Sequence, residues 1–270
     1  MSRADWNQAP LREPIGVPTR LAARVLGGPV HAFVRVFHRA TLEGTEHLPE
    51  GPYLLVGNHP PCIGGGEFAC LMALWAKRFG ATRPLAGFTH VAAHFVWPMT
   101  WAFAQIGAIP STYGAAEQTL AKGVPIVLFP GGDHEAFHSF WQRTADFGGR
   151  EGFLRIARKA GVPIVPLGIT GESAPVLFRF RALAWLALWP RLTGVKRFGL
   201  TVLGALGALA ILVFAPSPLW LRCVLAWAWA MSPLALVSWL PTTTRIRIGA
   251  PLPNTASRAE VEAAIGTLLR

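Results

Sequence analysis

Residues 149–169 read GREGFLRIARKAGVPIVPLGI, and this stretch carries the clearest fold signal in the sequence. Residues 149–160 place apolar side chains on one side of a helix and basic side chains on the other, the pattern of an amphipathic helix. Gly161 follows, and glycine is the residue that most often ends a helix. Residues 163–169 are then almost entirely apolar, which predicts a buried strand. The stretch therefore predicts a helix that leads directly into a strand of a covered sheet.

The same alternation continues on both sides of this stretch. Further apolar runs predict strands at 53–57, 84–88, 125–129 and 244–248. Apolar residues at helical spacing predict helices at 67–79, 92–106 and 115–122. Because strands alternate with helices, we expect an α/β fold with a layered, largely parallel sheet flanked by helices. An apolar helical segment is expected before the last strand.

The composition narrows the classes of protein to which this chain can belong. Of its 270 residues, 52% are hydrophobic and 14% charged, and the formal net charge is +11. These values exclude a disordered chain, a coiled coil and a collagen. The basic residues are not gathered into one stripe with interleaved aromatics, so no nucleic-acid partner is expected. An apolar and basic chain favours contact with an anionic lipid surface.

The apolar excess is concentrated in one part of the chain. No acidic residue occurs between Glu172 and Glu260, and two uncharged runs lie there, at 198–221 and 223–244. We therefore expect an apolar helical insertion at 182–241 that contacts a membrane. Two alternatives stay open for 198–240: a hairpin that crosses the bilayer with both ends in the cytoplasm, or a helical pair that only lies in it.

Residues 1–41 form the second segment that we expect at a membrane. Apolar residues alternate with arginines at near-helical spacing over 19–40, as in an interfacial helix, although a surface helix packed on the domain gives the same pattern. The Gly27, Gly28, Pro29 sequence favours two short helices over one. Residues 1–18 lack the apolar core of a signal peptide, so we expect the α/β domain, 42–270, to lie at the cytoplasmic face of a membrane.

Two loops that follow predicted strands carry residues suited to acyl transfer. His59 follows the strand at 53–57, and Gly131 and Gly132 follow the strand at 125–129. A neutral imidazole can take a proton from an attacking hydroxyl, and glycines let main-chain N–H groups approach an oxyanion. No metal is predicted, because the cysteines form no CxxC pair and His134 and His138, four residues apart, show no third ligand.

The motifs along the chain resemble those of the glycerolipid (lysophospholipid) acyltransferase superfamily, closest to the branch related to diacylglycerol acyltransferase type 2. The matching segments occur in the family's order at 42–49 (LEGTEHLP), 56–59 (VGNH), 107–110 (GAIP), 129–132 (FPGG) with Glu135, 147–153 (FGGREGF), 162–166 (VPIVP) and 248–252 (IGAPL). One departure stands out. The superfamily places an Asp five residues after its histidine, and this chain has Gly64 there.

The resemblance implies an O-acyltransferase of glycerolipid and phospholipid metabolism. It implies transfer of a fatty acyl group from an acyl thioester, acyl-CoA or acyl carrier protein, to a hydroxyl of a glycerolipid or lysolipid. His59 would be the general base, and Glu67, the next carboxylate, would support it, unless Glu67 only begins the next helix. Asp133 and Glu135 are rivals for that supporting role if the two loops converge.

The resemblance also implies roles for the residues around these loops. Gly131 and Gly132 would stabilise the oxyanion, and Glu135 would bind the acceptor. Arg150 and Arg143 would meet the phosphates of coenzyme A, a co-substrate, and no further cofactor is expected. Because of Gly64, the alternative hypothesis is a catalytically inactive relative that binds lipid.

Overall fold

A seven-stranded sheet lies at the centre of the computed structural model, which describes residues 15–59, 66–95, 97–142, 144–171, 174–180, 185–187, 197–237 and 240–270. Its strands are β1 (Thr41–Glu43), β2 (Leu54–Gly57), β3 (Ala86–Thr89), β4 (Ala108–Pro110), β5 (Ile126–Leu128), β6 (Ile164–Thr170) and, last in the chain, β9 (Arg245–Ile248). A separate hairpin pairs β7 (Val176–Phe180) with β8 (Phe198–Thr201).

The strand order is β1-β9-β6-β2-β5-β3-β4. From β6 to β4 every pairing is parallel, whereas β9 runs antiparallel to β6 and parallel to β1. The prediction of a largely parallel α/β sheet is thus confirmed.

Helices connect and cover these strands. They are α1 (Arg20–Val25), α2 (His31–Phe37), α3 (Gly66–Phe79), α4 (Met99–Gln105), α5 (Tyr113–Ala121), α6 (Asp133–Ala136), α7 (Gly152–Ala160), α8 (Val202–Phe214), α9 (Leu219–Ala230) and α10 (Arg258–Leu268). Helix α7 ends where the sequence indicates, because Gly161 adopts a left-handed conformation with φ 67°.

The sheet is buried on both faces because successive side chains of a strand point to opposite sides. Leu54 and Val56 of β2 pack with α5, α7 and α10 in one core. Leu55, between them, packs with α2 and α3 in the other core. All three side chains are fully buried. The molecule therefore has three layers, helices, sheet and helices, with β2 near the middle.

Some predicted helices differ in the structure. The helix expected at 92–106 is divided into a 3-10 turn, Val91–Phe95, and α4, which begins after Pro98. Proline lacks the main-chain N–H and disfavours helical geometry in the residue before it, so one continuous helix does not form. At 19–40 the helical path is not broken, because Leu26–Val30 forms a π-helical turn that joins α1 to α2.

The N-terminal segment packs on the α/β domain from residue 15 onward. Ile15 lies in one core, and Val34 of α2 lies in the other. Gly27 contacts the main chain of α3 so closely that a Cβ there would lie 3.2 Å from the carbonyl oxygen of Ala76. Residues 1–14 of this segment lie outside the described residues.

The apolar insertion is helical but begins with a strand. The run that starts at residue 198 forms β8 first, and α8 starts only after Thr201, whose hydroxyl accepts a hydrogen bond from the N–H of Gly204 at 2.9 Å. Helices α8 and α9 are 13 and 12 residues long. Among the residues that the structure describes, no helix combines the length and apolarity that a membrane crossing requires.

Helices α8 and α9 form a tightly closed pair. The indole of Trp229 lies against Gly207 and donates to the carbonyl of Leu203 at 3.2 Å. Arg222 on α9 reaches back to carbonyls at the end of α8 and in the connecting loop, those of Leu212 and Ser217. These contacts satisfy polar groups within an otherwise apolar pair.

Alanine substitutions at Gly168 and Gly266 test how tightly α10 packs on the sheet. A Cβ at Gly168 of β6 would lie 2.5 Å from the Cβ of Leu268, whereas a Cβ at Gly266 meets no atom within 4 Å. We expect Gly168→Ala to lower the free energy of unfolding by about 1–3 kcal/mol through overpacking. Gly266→Ala, the matched control, should raise it by about 0.5–1 kcal/mol, because it removes a glycine from a helix interior. Thermal unfolding followed by circular dichroism measures both, and equal effects would contradict this packing.

Candidate active site

The loops that carry His59 and Gly131 leave the same edge of the sheet. Strands β2 and β5 are adjacent and parallel, with Val56 beside Leu128, so their carboxyl ends point the same way. This is the edge at which α/β proteins usually bind ligands. The ring of His59 lies edge-on to that of Phe129, with 5.5 Å between centroids. The structure therefore brings the two predicted loops together.

Asn58 fixes the main chain before His59. Its side-chain amide donates to the carbonyl of Ile169 at 2.9 Å, and its side-chain oxygen accepts from the N–H of the same residue at 2.8 Å. Both bonds are buried. They attach the end of β2 to the neighbouring β6, so that the chain turns at a defined point and His59 leaves the strand in one direction.

Glu135 connects two loops to α6 through one buried carboxylate. Its Oε2 accepts the main-chain N–H of His59 at 2.9 Å, and its Oε1 accepts the main-chain N–H of Asp146 at 2.9 Å. The residue is 1% exposed. The carboxylate therefore holds the main chain of the predicted base against α6 and against the loop that precedes Phe147. That Glu135 also binds the acceptor stays a prediction.

The glycine turn, residues 130–132, has a steric requirement for glycine at both positions. A Cβ at Gly131 would overlap the carboxylate of Glu135. Gly132 has φ 45° and ψ −129°, a conformation that other residues rarely adopt. The glycine pair thus lets Glu135 lie beneath the turn. Stabilisation of an oxyanion by this turn stays a prediction.

Arg150 holds the glycine turn from outside. Its guanidinium donates to the carbonyls of Pro130 and Gly131 and pairs with the carboxylate of Asp133. The side chain is 45% exposed. Binding of coenzyme A phosphates by Arg150 stays a prediction, and Arg143 lies outside the described residues.

Glu67 lies in the first turn of α3 and is 1% exposed. Burial, together with the nearby charge of Glu67, raises the pKa of the Cys70 thiol to about 12. The support of the His59 imidazole by Glu67 stays a prediction. Gly64, at the position where the superfamily has its Asp, lies outside the described residues.

A comparison with known protein families finds a match over the part of the chain that contains these residues. Residues 39–170 match the family described as Acyltransferase, and this range contains His59, Glu135 and Arg150. Over these residues the chain matches an acyltransferase domain. The predicted resemblance is therefore confirmed.

Curated relatives of the acyltransferase domain carry related names. The chicken (Gallus gallus) DGAT1/2-independent enzyme synthesizing storage lipids is 31% identical over 49% of this chain and 39% of its own length. Human (Homo sapiens) 2-acylglycerol O-acyltransferase 3 is 26% identical over 85% of this chain and 64% of its own. Chloroplastic phytyl ester synthase 2 of Arabidopsis thaliana is 33% identical over 47% of this chain and 19% of its own length. The chain thus spans less than two thirds of each.

A solved structure also resembles the chain. It is the 1-acyl-sn-glycerophosphate (LPA) acyltransferase PlsC from Thermotoga maritima, 15% identical, with a TM-score of 0.47 over 93% of this chain and 79% of that one.

Asp146 is the residue of this acyltransferase domain that sequence reasoning missed. Its N–H bonds to Glu135, and its carboxylate pairs with Nε2 of His134 at 2.8 Å. In the sequence it stands directly before the 147–153 motif, which was the only signal available. Its partners lie more than ten residues away across an irregular loop, so spacing could not reveal them.

The stability of the acyltransferase domain depends on pH through the ionisation of Glu135. Burial raises the pKa of Glu135 from its ordinary value of 4.5 to about 8, although the two N–H donors act to lower it. The folded protein therefore holds this proton more tightly than the unfolded chain. The stability that this group contributes is fully present below about pH 4.5, is lost as the pH rises toward 8, and stays lost above that.

We therefore expect the melting temperature of the unmodified protein to fall by about 5 °C more between pH 6 and pH 9 than that of Glu135→Gln. Glutamine does not titrate, so the difference isolates this carboxyl group. Differential scanning calorimetry at the two pH values measures it. Glu117→Gln, which removes an exposed carboxylate paired with Lys159, is the control and should follow the unmodified protein. An equal fall for Glu135→Gln would refute the assignment.

Proposed function

We propose that this protein is a membrane-associated O-acyltransferase that moves a fatty acyl group from an acyl thioester to a hydroxyl of a glycerolipid or lysolipid. The observation that carries the proposal is the bond from the His59 main chain to the Glu135 carboxylate. It holds the histidine beside the glycine turn, within a domain of the acyltransferase family.

The chemistry follows from the residue types at this edge of the sheet. The neutral imidazole of His59 takes the proton of the acceptor hydroxyl while its oxygen attacks the thioester carbonyl. Main-chain N–H groups of the glycine turn bind the oxyanion of the tetrahedral intermediate. The intermediate collapses, the ester remains, and the thiolate leaves with the proton that His59 has taken. Glu67 stabilises the imidazolium in this proposal.

The donor is acyl-CoA or an acyl carrier protein, and both present a phosphate-bearing pantetheine thioester. Arg150 is the described arginine beside the glycine turn that can meet a phosphate, since its side chain is 45% exposed. Arg143 completes the predicted pair. The acyl thioester is a co-substrate, and no further cofactor enters the proposal.

The relatives' names support a hydroxyl acceptor carried by a lipid. One relative is named for 2-acylglycerol and another for phytyl esters. Both names describe an acyl group placed on the hydroxyl of an apolar molecule. A mono- or diacylglycerol or a lysolipid fits this class, and the acceptor reaches the site from a membrane.

Exposed apolar side chains support a membrane surface as the site of action. On α8, α9 and their connection the large exposed ones are Leu206, Leu209, Leu212, Val213, Phe214, Leu219, Trp220, Val224, Leu225 and Trp227. On α1, the π-helical turn and α2 they include Leu21, Val25, Phe33 and Val36. Many large apolar side chains exposed on the same helices mark protein or lipid contact, and arginines in these segments favour anionic lipid. We place the protein at the cytoplasmic face.

His59→Ala tests the mechanism. We expect a loss of about 10²- to 10⁴-fold in the rate of acyl transfer, because the general base is removed. Labelled acyl-CoA and labelled acyl carrier protein are supplied in parallel with mixed monoacylglycerol, diacylglycerol and lysolipid acceptors, and products are identified by mass spectrometry. His47→Gln, a histidine bonded to the carbonyl of Ile248, is the control and should keep full activity. Full activity in His59→Ala would refute the mechanism, and lipid binding without turnover by the unmodified protein would favour the inactive alternative.

Membrane contact is tested by replacing apolar side chains on the α8–α9 pair. Leu209 and Phe214 are 56% and 81% exposed. Leu209→Ser combined with Phe214→Ser should weaken binding to vesicles of phosphatidylglycerol and phosphatidylcholine by about tenfold or more, because two exposed apolar groups are lost. Cosedimentation measures it. Tyr113→Ser on α5, exposed to 44%, is the control. Equal binding by all three proteins would contradict this contact.

A further inference from the structure

Two histidines and an aspartate converge beside Glu135. His134 lies in α6, His138 lies two residues beyond the end of that helix, and Asp146 lies in the loop before Phe147. One ligand atom from each lies within 4.8 Å of the others. We propose that His134, His138 and Asp146 bind a divalent transition metal of the zinc class. This proposal does not depend on the proposed acyl transfer.

The donor set fits this class of metal. Imidazole nitrogen and carboxylate oxygen are common ligands of Zn²⁺, and three protein ligands leave a fourth position for water. Ligand atoms around a tetrahedral zinc lie about 3.3 Å apart, as follows from bonds of about 2.0–2.1 Å. Nε2 of His134 and Oδ2 of Asp146 are 2.8 Å apart. This geometry is reached when the distance between these two atoms lengthens slightly and the His138 ring moves toward them.

The ligands are held in place by the surrounding chain. The ring of His134 packs against Gly148, where a Cβ would lie 2.9 Å from it. Asp146 is held at both ends, since its Oδ1 accepts the N–H of Gly148 at 2.9 Å and its own N–H bonds to Glu135. This fixed arrangement lowers the cost of ordering the ligands when a metal binds.

A metal bound here replaces the proton that is now shared by Nε2 of His134 and Oδ2 of Asp146. The Asp146 side chain is 52% exposed, which gives a metal a route from solvent.

Arg179 opposes the cation and sets the strength of binding. Its guanidinium donates to the carbonyl of His134 at 2.6 Å, and its charge also acts on His138. A positive charge that acts on a ligand such as His138 weakens metal binding. Arg179→Met should therefore raise the affinity for zinc, whereas loss of any ligand should lower it. This opposite response distinguishes a metal site from a hydrogen-bonded cluster.

The experiment titrates the chelator-treated full chain with Zn²⁺ by isothermal calorimetry and with Co²⁺ by visible absorption. We expect one equivalent of zinc per chain and the d–d bands of cobalt with nitrogen and oxygen ligands. His138→Gln and Asp146→Asn should each weaken zinc binding by about tenfold or more, and Arg179→Met should strengthen it by about threefold or more.

Asp133→Asn is the matched control, because it removes a neighbouring carboxylate that pairs with Arg150 instead. It should leave the zinc affinity unchanged, and circular dichroism checks the folding of every variant. Less than half an equivalent of zinc bound by the unmodified chain would overturn the proposal. Equal affinity in folded His138→Gln, Asp146→Asn and the unmodified protein would overturn it as well.

Discussion

The candidate site depends on one buried carboxylate that accepts two main-chain hydrogen bonds. Glu135 binds the N–H groups of His59 and Asp146, which belong to loops far apart in the sequence. Each bond gives a buried main-chain N–H an acceptor, and together the two bonds hold the two loops close to each other. Gly131 must be glycine because this carboxylate lies against it. Gly131 is therefore explained by packing, whatever further part the turn takes in chemistry.

The sheet makes this arrangement rigid. Strand β2 lies between β5 and β6, and its residues are fully buried between two cores. Asn58 then attaches the end of β2 to β6, so His59 leaves a strand that is paired on both sides. Functional groups on loops are positioned best when such a scaffold fixes the points where the loops begin.

Apolar and charged residues are distributed unevenly over the molecule. The strands of the sheet bury their apolar residues, whereas α8 and α9 expose many of theirs, as α1 and α2 also do. Three acidic residues lie close to the glycine turn: Asp133 and Glu135 in α6, and Asp146 in the loop before Phe147. The carboxylate of Asp133 is paired locally with Arg150, while the net charge of +11 is available to an anionic surface.

The sequence by itself determined the order of strands and helices around residues 149–169, the largely parallel sheet and the two loops of the site, because apolar period and glycine positions are local properties. It missed the strands β1, β4, β7 and β8, which are three to five residues long and lack a clear alternating pattern of their own. Only the tertiary structure decided that Glu135 turns inward to the His59 main chain and that Asp146 joins His134 and His138. Such contacts depend on how separate loops converge, and the spacing of residues along the chain does not determine how far apart those loops lie in space.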